Sequence, residues 1–156
     1  MKPKKTWREK LADSKDLPRT ETIPPKLRKS WGEGTFVIPA PLEVDGIMKK
    51  VPKGKLITIN EIRKFLAQKH GTDIACPITT GIFAWIAANA AAEDENEGKK
   101  RITPYWRTLK TGGELNQKYP GGIEKQTKLL ESEGFEVIKK GKKTLVYGYQ
   151  DHIMKI

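Results

Sequence analysis

The sequence predicts an α+β fold: one winged helix-turn-helix-like domain with an N-terminal basic arm and a C-terminal β-hairpin. Three observations predict it. Two segments with helical spacing, one starting near Thr58 and one near Thr79, are separated by a short connector, as in a helix-turn-helix. Two runs that alternate, Phe135 to Ile138 and Thr144 to Tyr149, flank a lysine-rich turn with a central glycine, the pattern of a hairpin. The first 35 residues are rich in Lys, Arg, Pro and Thr and poor in aliphatics. The expected organisation is an arm over 1–35, a body over 36–134, and a hairpin over 135–156 packed on the same body.

The elements follow in order. Thr6 to Ala12 fits a short helix with Trp7 and Leu11 on one face. Pro18, Pro24 and Pro25 then interrupt regular structure, and the arm either tracks a nucleic-acid backbone or wraps the domain. Thr35 to Ile38 is a strand or extended run, ended by Pro39 and Pro41. Leu42 to Lys50 reads as a helix with Leu42, Ile47 and Met48 inward and Lys49-Lys50 at its C-terminal end. Thr58 and Glu61 have capping-box spacing, and Ile59, Ile62, Phe65 and Leu66 continue a helix that Gly71 stops. After a connector over 72–78, Thr79 or Thr80 caps a second helix whose apolar residues run nearly all round, so burial is expected. Glu93 to Gly98 is expected to be a solvated helix end and loop. A helix from about Ile123 to Glu133 buries Ile123, Leu129 and Leu130.

With 156 residues the chain can build one domain with its own core. No apolar run approaches the roughly 20 residues of a membrane span, the basic first residues have no apolar stretch behind them, and the cytoplasm is the expected location. A single cysteine, Cys76, excludes an intrachain disulfide. Cys76, His70 and His152 lack metal-ligand spacing, so neither metal nor cofactor is expected. Thirty Lys plus Arg against nineteen Asp plus Glu leave a net charge of +11, which favours a polyanionic partner. The phosphate-contact candidates are Lys53 and Lys55 in a turn and Lys140 and Lys142 at the hairpin tip; at the tip, a solvated turn that discourages edge pairing is an equal alternative.

The stretch richest in chemistry is Pro104-Tyr105-Trp106-Arg107, with Tyr119-Pro120-Gly121-Gly122 behind it. Pro104 fixes its own φ and biases its predecessor away from helix, so the aromatics are expected on a stiff turn. They are either core aromatics under a loop or the wall of a pocket for a flat ligand. At the start of the second motif helix Thr79, Thr80 and Gly81 include no Arg, Asn or Gln to read a base edge bidentately.

Residues 51–134 resemble the DNA-binding domain of the alkylguanine-DNA alkyltransferases. Val51-Pro52-Lys53-Gly54-Lys55-Leu56-Ile57-Thr58 resembles that family's approach to its first motif helix. Asn89 falls where the family has an asparagine near the end of the recognition helix. Pro104-Tyr105-Trp106-Arg107 occupies the place of Pro-Cys-His-Arg. Tyr119 to Gly122 matches Tyr-x-Gly-Gly, and Leu129 to Gly134 matches Leu-Leu-x-x-Glu-Gly. The acceptor cysteine and activating histidine are thus Tyr105 and Trp106, and a phenol without an adjacent base does not replace a thiolate. The resemblance therefore implies no alkyl transfer. It implies a likeness to the alkyltransferase-like proteins, in which an aromatic replaces the cysteine and a modified guanine is flipped into the pocket and marked for repair.

On that basis the expected function is non-catalytic binding of double-stranded DNA, including DNA with an alkylated guanine, by a monomer that hands the site to a repair protein. Tyr105, Trp106, Arg107, Tyr119, Gly121 and Gly122 would form the base pocket, with Tyr119 against the flipped nucleotide and Arg107 holding the turn or a phosphate. Asn89 would be a hinge hydrogen-bonder and Glu133 a helix-end acceptor. The family's intercalating arginine falls at Thr80 and its groove tyrosine at Ile59. Three alternatives stay open: Tyr105 and Trp106 fill the pocket, the fold serves as a protein- or RNA-binding adaptor, or Cys76 accepts the alkyl group.

Overall fold

A computed structural model describes residues 5–156; Met1 to Lys4, the first residues of the expected arm, lie outside the described residues. Helix α1 (Trp7–Ala12) is capped by Thr6, whose hydroxyl accepts from the Glu9 N–H while the Glu9 carboxylate accepts from the Thr6 N–H. Strand β1 (Arg19–Thr22) pairs antiparallel with β2 (Thr35–Ile38), and β2 pairs in parallel with β4 (Ile74–Ala75). Between β1 and β2 lie a single turn at Pro25–Leu27 and the four-residue helix α2 (Arg28–Trp31). The arm therefore wraps the domain and contributes a strand to it. All four residues of β1 are exposed, so it has no alternation to betray it in the sequence.

Helix α3 (Pro41–Lys49) starts with Pro41 at its first position, and Glu43 accepts from the Ala40 N–H at 3.0 Å. It buries Val44, Ile47 and Met48; Leu42, expected inward, is 51% exposed. Strand β3 (Ile57–Thr58) leads into α4 (Ile59–His70), which ends at Gly71 in the left-handed region (φ 67°). The capping box expected there is not made: the Thr58 hydroxyl donates to the Glu61 carboxylate at 2.7 Å instead of accepting from the backbone.

Helix α5 (Pro77–Asn96) begins before the threonines expected to cap it, with Cys76 as the flanking residue and Pro77 first. It also runs through most of the acidic patch expected as its solvated end. Its alanines at 84, 87, 88, 90 and 91 form the close-packed face against α1, α3 and α4. Burial all round is corrected by Ile78 and Ile82, which are 62% and 44% exposed. The connector between α4 and α5 contains β4, so the helix-turn-helix is tied into the sheet by its own turn.

A 3₁₀ turn at Tyr105–Arg107 follows, then β5 (Thr108–Leu109), which pairs in parallel with β3. Helix α6 (Gly122–Ser132) and the hairpin β6 (Val137–Lys140) and β7 (Lys143–Val146) complete the winged arrangement. Lys140 pairs with Lys143, leaving a tight turn at Gly141-Lys142; Lys139, Lys140 and Lys143, expected in the loop, belong to the strands. The segment preceding α6 bridges to β7 at Glu114–Leu145, and Ile153 bridges to Leu56, closing the C-terminus onto the body. One core lies among α3, α4 and α5 with Tyr105 and Tyr119; a second joins Leu56, Leu109, Leu115, Leu130 and Val146; a third, smaller one joins Ile23, Phe36 and Cys76.

Candidate nucleic-acid interface

The Pro104 turn is held from three sides. The Arg107 N–H donates to the Pro104 carbonyl at 3.1 Å, closing the turn. Gln126, fully buried on α6, donates to the Trp106 carbonyl at 3.3 Å and accepts from the Asn116 N–H at 2.9 Å. Glu133, just past α6, accepts from Trp106 Nε1 at 2.9 Å and from Arg107 Nη2 at 2.6 Å, while Arg107 Nη1 donates to the Val51 carbonyl at 2.8 Å. The guanidinium is thereby committed to the turn, which leaves it no hydrogen-bonding fork for a phosphate.

The aromatics do not line an open slot. Tyr105 is 1% and Tyr119 3% exposed, and both belong to the main core. Tyr105 meets Trp106 edge-on at 5.4 Å between centroids and Tyr119 edge-on at 5.7 Å. Burial pushes both phenols above their ordinary pKa, so both stay neutral and non-nucleophilic at physiological pH. Gly121 (φ 82°) caps α6, and a Cβ there would sit 2.5 Å from that of Lys125; Gly122 also has positive φ (67°). In this arrangement both phenol rings are packed into the core.

A cleft lies between α4, the N-terminal half of α5 and the loop over 110–118. It has a volume of about 660 Å³, within the roughly 300–1,000 Å³ of ligand sites. Its apolar floor is Ile59, Pro77, Ile78, Ile82 and Trp85; Arg63 and Lys118 bring positive charge to it, while Lys110 is paired with Glu114 at 3.2 Å. Trp85 Nε1 donates to the Lys118 carbonyl at 3.1 Å, tying α5 to the loop that forms the opposite wall. Trp7 on α1 meets the Trp85 ring edge-on at 4.7 Å.

The predicted site residues are placed as follows. Of Thr79, Thr80 and Gly81, Gly81 lines the cleft; Thr80 is fully buried with its hydroxyl on the Cys76 carbonyl at 2.7 Å, and the Thr79 hydroxyl is buried without a partner. Asn89 is not near the end of its helix: α5 continues to Asn96, and Asn89 Nδ2 donates one turn back to the Trp85 carbonyl at 2.9 Å. Lys53, Lys55, Lys140 and Lys142 are exposed, and none lines the cleft. Cys76 is 5% exposed and packed with Ile23 and Phe36, a poor position for accepting a group from DNA. The sequence reading missed Arg63, Trp85, Lys110 and Lys118. Only Trp85, on a helix already placed, offered a signal; the others converge from separate elements.

No family model and no curated protein matches this sequence. Among the solved structures that resemble the fold are two solved with DNA. One is Schizosaccharomyces pombe Atl1 in complex with damaged DNA containing O6-carboxymethylguanine: TM-score 0.51, 18% identity, covering 74% of this chain and 94% of that one. The other is S. pombe ATL in complex with DNA: TM-score 0.53, 19% identity, with the same coverage. This chain has the fold of the alkyltransferase-like proteins.

Proposed function

We propose that this protein is a non-catalytic binder of double-stranded DNA, of the alkyltransferase-like kind. The observation that carries the reading is the cleft beside the N-terminal end of α5, apolar on its floor and bordered by Arg63, Lys110 and Lys118, on a fold shared with proteins solved in complex with DNA. The neutral, buried Tyr105 and the indole at Trp106 support the absence of alkyl transfer. Lys53, Lys55, Lys140 and Lys142 remain the proposed phosphate contacts, and a repair protein the proposed recipient of the bound site.

Recognition of alkylated guanine by flipping is the finer part of the reading. Tyr105 and Tyr119 bury each other, so an extruded base would be received by the cleft, against Ile82 and Trp85. Direct contact of Tyr105 with the base is replaced in this reading by support from behind.

Fluorescence anisotropy with matched duplexes, one with guanine and one with O6-methylguanine, tests both parts across a salt series. Salt-sensitive binding of either duplex is expected, with tighter binding of the methylated one. Ile82→Glu should weaken both, and Tyr105→Phe, which removes only a hydroxyl, should leave both unchanged. Equal binding of the two duplexes removes lesion recognition and keeps DNA binding. Absence of binding at low salt removes the whole reading. The exposed Ile78 and Ile82 would then favour the adaptor, a protein docking on the same apolar face.

A further inference from the structure

We propose that the Pro25–Leu27 turn and helix α2 form a second phosphate-binding surface, which extends the duplex footprint past the cleft along the flank of α5. The proposal rests on the duplex-binding reading above and adds residues and a position to it.

Among the described cations of the first 35 residues, Lys10 lies over the Trp7 ring at 4.3 Å and Lys15 is exposed alone in a turn; six others fall into two groups. Lys5, Arg8 and Arg19 are tied up within the protein. Lys5 Nζ lies 2.7 Å from Asp13, Arg8 forms paired hydrogen bonds of 2.6 Å with Glu97, and Arg19 lies 2.7 Å from Asp16 and 2.9 Å from Glu21. Lys26, Arg28 and Lys29 differ: all three are exposed, and they make no ion pair with any described residue. The segment 25–34 that carries them holds one acid, Glu33.

The second group is also rigidly placed. Leu27 and Trp31, four residues apart, turn inward onto the small core of Ile23, Phe36 and Cys76, and Trp31 meets Phe36 edge-on at 5.4 Å. Cys76 is the residue flanking the start of α5, and Ile74 of β4 belongs to the same cluster. The three cations therefore ride on a block packed against the end of α5 where Pro77, Ile78, Gly81 and Ile82 line the cleft.

Charge without an internal partner, held beside a cleft that already contains Arg63 and Lys118, matches a continuous polyanionic backbone. Lysine and arginine ends without a base-reading amide among them fit phosphate contacts that position and do not specify. Arg8 is neutralised against the acidic end of α5, whereas Lys26, Arg28 and Lys29 are not, and their segment is the part that faces the nucleic acid.

The test uses the full chain carrying Lys26→Glu, Arg28→Glu and Lys29→Glu together, titrated against a duplex of about 20 bp, two helical turns. The expected result is a slope of log affinity against log salt that falls by about 2–3, with the unfolding midpoint unchanged. The same three positions changed to Gln provide a second variant in case reversed charge disturbs folding, with the same loss of slope expected. An unchanged slope while the unsubstituted protein binds duplex overturns this surface alone. A loss confined to single-stranded RNA of the same length also overturns it. No duplex binding by the unsubstituted protein overturns both readings.

Discussion

At the residue scale, Glu133 shows how one carboxylate braces a turn. Its carboxylate receives the Trp106 indole N–H and the Arg107 guanidinium together, which braces the turn. Trp106→Phe retains the ring and removes one charge-assisted hydrogen bond. It should destabilise the fold by about 1.5–3 kcal/mol, measured by chemical denaturation, while Arg107 keeps Glu133 paired. Glu43 shows a different balance. Burial would push its pKa up, but hydrogen bonds from Lys69, the Ala40 N–H and His70 outweigh that and hold it below the ordinary 4.5. A carboxyl lowered by folding stabilises the protein above its unfolded pKa, and that contribution disappears as pH falls through the folded value. Glu43→Gln should therefore be less stable than the parent at neutral pH, with the gap closing below pH 4.5 in a pH series of thermal midpoints. A gap that stays constant down to strong acid would show that the carboxylate charge is not what matters.

At the element scale, α1 is the most informative piece. Six residues are too few to hold a helix by themselves. Glu93 on α5 accepts from the Trp7 and Arg8 N–H groups at 3.0 and 2.9 Å, satisfying the helix start from another element. The Trp7 ring then abuts Trp85, whose own N–H holds the cleft loop. Trp7→Ala should cost about 1–2 kcal/mol and should raise amide exchange at Lys118 and Tyr119 relative to the core of α6. Equal exchange in both proteins would mean that the loop keeps its place without α1. The strands illustrate why other elements escaped the sequence. β4 is two residues long and β1 is exposed throughout, so neither carries a period of two; both exist because β2 lies between them.

At the scale of the whole molecule, the charge of +11 is unevenly available. Arg8 and Lys99 are absorbed by the acids at the end of α5, and Lys125 by Glu95. Lys140 and Lys142, exposed at the hairpin tip, are free to act at a distance. Replacing both with Gln should lower the salt slope of duplex binding by about 2, with little change in stability. An unchanged slope would make the tip a solvated turn that only protects an edge. The tip is joined to the cleft wall through the Leu115 N–H, which donates to the Thr144 carbonyl at 2.9 Å. Wing and cleft wall are thus joined by a single bridge, Glu114 to Leu145.

The sequence by itself determined the elements whose causes are local. Pro104 set the turn, Gly71 the end of α4, the Thr6–Glu9 pair the start of α1, and the spacing of Ile62 and Leu66 the buried face of α4. Only the tertiary structure decided that Tyr105 is buried in the core, that Thr80 is buried and Ile78 exposed, and that Arg63, Trp85 and Lys118 face one cleft. The physical reason is that burial on a helix apolar nearly all round is settled by which neighbours reach it. Such contacts join residues tens of positions apart, and no periodicity within one segment encodes them.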